Sequence, residues 1–419
     1  MSGGSRICID ARLESGFSGG IEQVVAGLAQ GLSSLSDGDE EYYFLTYPGL
    51  DEWLAPYIGG SCYLLHDKRS WSHAWRRTVA SRFPMVRKIL EKAGALAVEK
   101  AISIPVSSGI IERAGIDLMH FTFQAAFLTD VPSIYHPHDL QHIHLPEYFS
   151  DYERRGRTIV YKRFSDQASM VAVSSSWVRQ DLEEHLNIPH EKISVVPLAP
   201  STEAYAVPSP EELVSVKAKY DLPEAFAFYP AQTWSHKNHL GLIEVAAMLR
   251  DRQGLHIPLV FSGRKGDYYH SLEKRISELD LSGQVRFLGF VTPLELQSLY
   301  KLCRCVIIPT KFEAASFPLW EAFLAEAPTA CSRVTSLPRQ AGNAAMIFDP
   351  ADTDEMATCL HRLWKEDELR TSLVKRGKTN VSRFTWKRTA LGFRAHYRRI
   401  LCLELTNEDN AILSAEPIL

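Results

Sequence analysis

No stretch of the 419-residue chain stays apolar for the 18 or so residues that a membrane-crossing helix needs. The opening "MSGGSRICIDARLESGF" also lacks the apolar core of a secretory leader, so the expected location is the cytoplasm. Cysteine is scarce, with seven residues scattered along the chain, which excludes a disulfide framework and favours buried, reduced thiols. Cys303 and Cys305 form a lone Cys-x-Cys with no second pair nearby, so a structural zinc centre is not expected. Neither charge sign dominates: 46 basic residues stand against 50 acidic ones, for a formal net charge of -4. That balance gives no general case for a nucleic-acid partner, and any basic site must be local. Solenoid periods and low-complexity tracts are absent too, which removes repeat architectures and long disordered arms.

What is present is alternation. The runs "RICIDA", "YYFLTY", "IDLMHF", "PSIYHPHD", "SMVAVSS" and "KISVVP" read as strands, separated by segments such as "IEQVVAGLAQGL" and "SWVRQDLEEHL" with helical apolar spacing. After a proline-rich passage, "PLAPSTEAYAVPSPEEL", a second series follows: "FAFYPAQ", "PLVFSGR", "VRFLGF", "CVIIPT", "PTACSRV" and "AMIFDP". The expected fold is α/β, with two facing Rossmann-like domains and a cleft between them. The expected boundaries are 1–200 for an acceptor-side domain, 201–223 for a linker and 224–384 for a nucleotide-sugar-binding domain. Residues 385–419 are expected to form a helix crossing back to the first domain, and a tail. Open α/β sheets bind ligands at the carboxyl ends of their strands, so function is expected there.

The segment "KFEAASFPLWEAF" sets Glu313 and Glu321 eight positions apart, with Ser316, Phe317 and Pro318 among the seven residues between them. "CVIIPT" is a buried strand, so Glu313 stands at a strand tip and the next helix starts near 316–318 with Ser316 as its cap. The free N–H groups at that helix start, around Ser316 and Phe317, suit a phosphate. Read alone, the two acids are equally compatible with a solvated loop residue and a dipole-favoured acid in a first turn.

Neighbouring segments shift that balance. The spacing resembles the E-x7-E signature of retaining glycosyltransferases of family 4 (GT-B fold). "VAVSSSWVRQDL", "EKISVVPLAP" and "FYPAQTWSHKNHLGLIEV" resemble that family's other segments in the family's order. The resemblance covers nearly the whole chain and implies sugar transfer from a nucleotide-sugar donor with retention and without a metal or other cofactor. It implies that Glu321 accepts from the nucleotide ribose, that Glu313 grips donor sugar hydroxyls, and that Lys237 meets the donor diphosphate. Those carboxylates would position the donor, unlike the acid/base pair of glycoside hydrolases. Gln232 departs from the family pattern, which usually carries arginine there. Arg339 stands where the family commonly shows glutamate. Both changes leave open a binding or regulatory protein without turnover.

Further candidates come from the remaining loops. His138 and Asp139, in "HPHDLQHIHLPEY", resemble the family's His-Asp-Leu segment near the donor sugar. The spacing of His136, His138, His142 and His144 matches no common zinc pattern, so no metal site is expected. Gly19 and Gly20 lie in "RLESGFSGGIEQVV", whose spacing is not the dinucleotide G-x-G-x-x-G, and glycine there permits close backbone approach to the donor. Arg264 is expected to face base or phosphate, and the backbone around Phe290 and Val291 to face the base. The resemblance at "PAQTWSHKNHL" points to GDP-mannose first and a UDP-sugar second, with a saccharide or lipid-linked acceptor. Residues 67–94 are rich in Lys and Arg, with Trp71, Trp75 and Val79 four apart. They fit either a solvated helix with a core-facing aromatic stripe or a peripheral surface docking on anionic lipid.

Overall fold

The structure is a computed structural model that describes residues 4–14, 16, 19–67 and 102–419. The basic and aromatic stretch of 67–94 lies outside the described residues beyond Asp67, so its two readings stay as expectations.

The chain divides into two compact units, 1–198 with Trp386–Leu419, and Ala199–Thr385. The described residues of the first unit hold a parallel sheet of β1 (Arg6–Asp10), β2 (Glu41–Thr46), β3 (Cys62–His66), β4 (Leu118–Phe121), β5 (Ser133–Tyr135), β6 (Met170–Val173) and β7 (Ile193–Val195). Their order is β3-β2-β1-β4-β5-β6-β7. The sequence reading missed β3. It is an edge strand whose "CYLLH" has only Cys62 buried, so it lacks the continuous apolar run of its neighbours. The centre is the opposite case: Ile7, Ile9, Leu118 and Ile134 are wholly buried and meet the inner face of the helix Gly20–Ser33.

The helix Trp386–Ile400 packs on Gly20–Ser33 in this unit. Glycine makes that packing possible, because a Cβ on Gly27 would fall 1.9 Å from the Trp386 ring and one on Gly31 2.3 Å from the Trp386 carbonyl. Charge fixes the other face. Arg398 bonds Glu40 at 2.5 Å and Asp409 at 2.7 Å, all three buried, so each charge has a partner.

The second unit has a parallel sheet of β8 (Ala227–Pro230), β9 (Leu259–Ser262), β10 (Val285–Phe287), β11 (Cys305–Ile308), β12 (Thr329–Ser332) and β13 (Ala345–Phe348). Its order, β10-β9-β8-β11-β12-β13, reverses direction between β8 and β11. The stretch expected as a linker carries a helix of this unit, Pro210–Lys219. "SPEE" explains it: Ser209 and Glu212 form a reciprocal capping box and Pro210 occupies the first turn, so proline here starts a helix.

Candidate active site

The crevice beside β8 and β11, at the reversal of strand order, is where an open α/β sheet receives ligands. Lys237 leaves the end of β8 and Glu313 the end of β11. The two loops are tied to each other, since Lys311 N–H donates to the His236 carbonyl at 2.8 Å. Lys237 Nζ therefore meets Glu313 Oε2 at 2.5 Å, with both side chains less than a fifth exposed. Each was expected to face a different part of one donor; in the structure they hold each other.

The loop carrying Glu313 is clamped from the far side. The hydroxyls of Thr335 and Ser336 donate to the Glu313 and Ala314 carbonyls. Gln340 brackets Ser316, its Oε1 accepting from Ser316 N–H at 3.0 Å and its Nε2 donating to the Ser316 carbonyl at 2.7 Å. Ser316 does precede the helix Phe317–Leu324, but its hydroxyl makes no capping bond, contrary to expectation. Pro318 has no N–H to offer in the first turn, and Gln340 already fixes that peptide. The buried Ser316 Oγ has no hydrogen-bond partner among the described residues.

Glu321 sits on that helix, almost fully buried. Its Oε1 accepts from Ser201 Oγ at 2.7 Å and its Oε2 from Tyr300 OH at 2.8 Å. Burial pushes its carboxyl above the usual range, and the two hydroxyl bonds oppose that push. Ser201 and Tyr300 escaped the sequence reading, because no motif marks hydroxyls 120 and 21 residues away in the chain.

The adjacent loops are linked as well. Thr233 N–H donates to the Arg264 carbonyl at 3.2 Å, and Gly266 N–H donates to Thr233 Oγ1 at 2.7 Å, which sets Gln232 beside Arg264. The Arg264 guanidinium lies 5.8 Å from the centre of the Phe290 ring, which is 68% exposed, while Val291 is buried behind it. Arg339 is exposed on the helix Leu337–Ala341, and nothing in the structure explains arginine there. Gly263 holds this group together, with φ +126° and a hypothetical Cβ only 2.5 Å from the Ala231 carbonyl oxygen. Gly263→Ala is expected to destabilise the second unit by about 2 kcal/mol or more, through backbone strain and a contact that no rotamer relieves. Urea unfolding measures it, and a loss below about 0.5 kcal/mol would contradict the packing described.

In the first unit, His138 follows β5 with φ +66° and stacks on His136 at 4.0 Å. Its Nε2 is 2.7 Å from the Thr122 carbonyl, so Nε2 carries the proton and Nδ1 the lone pair. Burial lowers its pKa to about 4, so the ring is neutral near pH 7. The four histidines do not converge: His138 faces Thr122, His142 meets Thr158 Oγ1 at 3.1 Å and His144 meets Asp181 at 2.6 Å. Gly19 precedes the helix Gly20–Ser33 with φ +54° and ψ -126°, a conformation open chiefly to glycine.

A doubly wound sheet with a cation and a carboxylate at its switch point defines a class of α/β proteins that hold phosphorylated ligands at the strand ends. The comparisons narrow the class. "Glycosyltransferase Family 4" matches residues 18–203 and "Glycosyl transferases group 1" matches 213–380. The two matches together span most of the chain, which belongs to the family 4 glycosyltransferases of GT-B type. O-antigen chain mannosyltransferase B of Escherichia coli is 28% identical over 251 residues, 60% of this chain and 66% of that protein. The serotype-specific mannosyltransferase WbdA of Escherichia coli is 26% identical over 230 residues, 54% of this chain and 28% of that protein. The chain thus spans just under two thirds of the first and under a third of the second.

Among solved structures, sucrose-phosphate synthase of Thermosynechococcus elongatus superposes with a TM-score of 0.71 at 16% identity, covering 95% of this chain and 99% of that one. Anabaena HepE, solved in complex with UDP and glucose, gives 0.69 at 17% identity, covering 94% and 100%. At such identities these likenesses concern the fold alone.

Proposed function

We propose that the protein is a retaining glycosyltransferase that moves mannose from GDP-mannose to a saccharide or lipid-linked acceptor in polysaccharide or glycoconjugate synthesis. The observation that carries this reading is the Lys237–Glu313 pair at the β8/β11 switch point. The choice of mannose rests on the likeness to two mannosyltransferases. A UDP-sugar is the second reading, favoured by the fold shared with HepE, which was solved with UDP and glucose.

In this reading Lys237 exchanges Glu313 for the donor diphosphate and neutralises the charge that grows there as the glycosidic bond breaks. The start of the helix Phe317–Leu324 adds the positive end of its dipole, which with Lys237 meets the need that a metal would otherwise serve. Glu313, released, accepts from sugar hydroxyls, and Glu321 accepts from the ribose. The oxocarbenium-like centre is then attacked by an acceptor hydroxyl on the face the nucleotide leaves, and the hydroxyl proton passes to the departing diphosphate. Within the first unit His138, its Nε2–H committed to Thr122, keeps Nδ1 to accept from a hydroxyl. Gln232 leaves Lys237 as the main cation of the second.

Thermal unfolding with GDP, UDP or ADP at equal concentration tests the donor assignment, because stabilisation follows the ratio of ligand concentration to Kd. GDP should give the largest rise; no rise with any of the three would remove the donor reading. Glu321→Gln should bind GDP about tenfold more weakly without lowering its own Tm at pH 7. The sign follows from its raised carboxyl pKa. Stability from such a group is fully present below the unfolded pKa and is lost as pH rises through the folded one, so the ionised form is a cost that the amide removes. GDP affinity equal to the parent's would take Glu321 out of the donor site.

A further inference from the structure

The proposed transfer leaves one cluster in the first unit unused. Asp181 and His185 lie one turn apart on the helix Ser176–Leu186, and His144 ends the helix Gln141–His144 opposite them. His144 Nε2 is 2.6 Å from Asp181 Oδ1, and His185 Nε2 is 3.5 Å from the same oxygen. One ligand atom from each of the three residues lies within 4.8 Å of the others. The Asp181 side chain is 3% exposed and the two imidazoles 30% and 29%. The Trp177 ring, 5.3 Å from that of His144, flanks the group.

A protonated His144 paired with Asp181 accounts for Oδ1 only. The other oxygen, Oδ2, is buried with no hydrogen-bond partner among the described residues, an expensive state for a carboxylate. A cation against this carboxylate would bring a full positive charge to the buried group, with the two imidazoles that face Oδ1 as its further ligands. We propose that His144, Asp181 and His185 form a binding site for one divalent transition-metal ion of the zinc class. Two imidazole nitrogens and one carboxylate oxygen suit zinc and its first-row neighbours, whereas calcium and magnesium prefer all-oxygen shells. Bonds of ~2.0–2.2 Å in a tetrahedron put ligand atoms about 3.3 Å apart, which half-exposed rings can reach by rotating. Three protein ligands leave the fourth position to water. The ion ties the segment that follows His138 to the helix Ser176–Leu186, a bracing role that sequence spacing conceals because only His144 belongs to the histidine-rich stretch.

The test titrates the full chain, stripped with a chelator and desalted, with Co2+ followed by Zn2+. The expected result is one equivalent of Co2+ bound with a visible absorption band, displacement by Zn2+, a rise in Tm with Zn2+, and no response to Mg2+. His144→Gln and His185→Gln, both at half-exposed positions that tolerate substitution, should each weaken binding at least about tenfold. His190→Gln, at an exposed histidine bonded to Glu183, serves as the control and should bind as the parent does. No equivalent bound below about 10 μM, or parental affinity in either of the first two variants, would overturn the site and leave a hydrogen-bonded Asp–His contact.

Discussion

Lys237→Ala is expected to lower kcat about 100-fold or more while the protein stays folded. A backbone bond between the two loops fixes the segment that bears the lysine, so its ammonium has only to exchange Glu313 for the leaving diphosphate as that group gains charge. Removing it takes away that stabilisation and also leaves the Glu313 carboxylate unpaired beside the entering phosphates, which repels them. Both effects act in one direction. Glu313→Gln should lower kcat and raise KM together, because it releases Lys237 from its partner and weakens the hold on sugar hydroxyls. Steady-state kinetics with circular dichroism as a folding control measures both, and a Lys237→Ala enzyme within twofold of the parent would refute the role given to the lysine.

Stability is expected to fall steeply between pH 6.5 and 4. Burial holds His120, His236, His239 and His396 at about pKa 3, His138 and His142 at about 4, and His136 well below the ordinary value. For a group with a depressed folded pKa, stability is present above the unfolded value and is lost as pH falls, because the unfolded chain takes up protons that the folded one refuses. Each such histidine costs about 1.4 kcal/mol per pH unit below 6.5, so several together exceed the stability of an ordinary domain. The raised carboxyl of Glu321 works the other way, but it is one group against seven. Urea unfolding at pH 7, 6 and 5 tests this. A midpoint unchanged between pH 7 and 5 would mean that these rings are not held neutral in the folded protein.

The residues that announced the fold were those whose environment is uniform along a strand. "CVII" and "MVAV" are buried on both faces, so composition alone marks them, whereas "CYLLH" at the sheet edge alternates too weakly to stand out. The proline-rich 201–223 stretch misled because proline both breaks and begins helices, and only the Ser209–Glu212 box decides which. At the site, a strand tip marked Glu313 and the family resemblance marked Lys237, as separate candidates. Their pairing was hidden, because it depends on Lys311 N–H reaching the His236 carbonyl, a backbone bond that no side chain encodes. The same holds for the Thr335, Ser336 and Gln340 clamp and for the hydroxyls that meet Glu321. Long-range contacts of common residue types leave no local pattern.

The central claim is that the Lys237–Glu313 site cleaves a nucleotide-sugar, and release of nucleoside diphosphate tests it most directly. The parent protein, incubated with GDP-mannose and a saccharide acceptor, should release GDP continuously, should release UDP from UDP-glucose more slowly, and should lose about 100-fold or more of its rate when Lys237 is alanine. Failure of the folded parent to release diphosphate from any GDP-, UDP- or ADP-sugar, with or without acceptor, would contradict the claim and leave a nucleotide-binding protein without turnover.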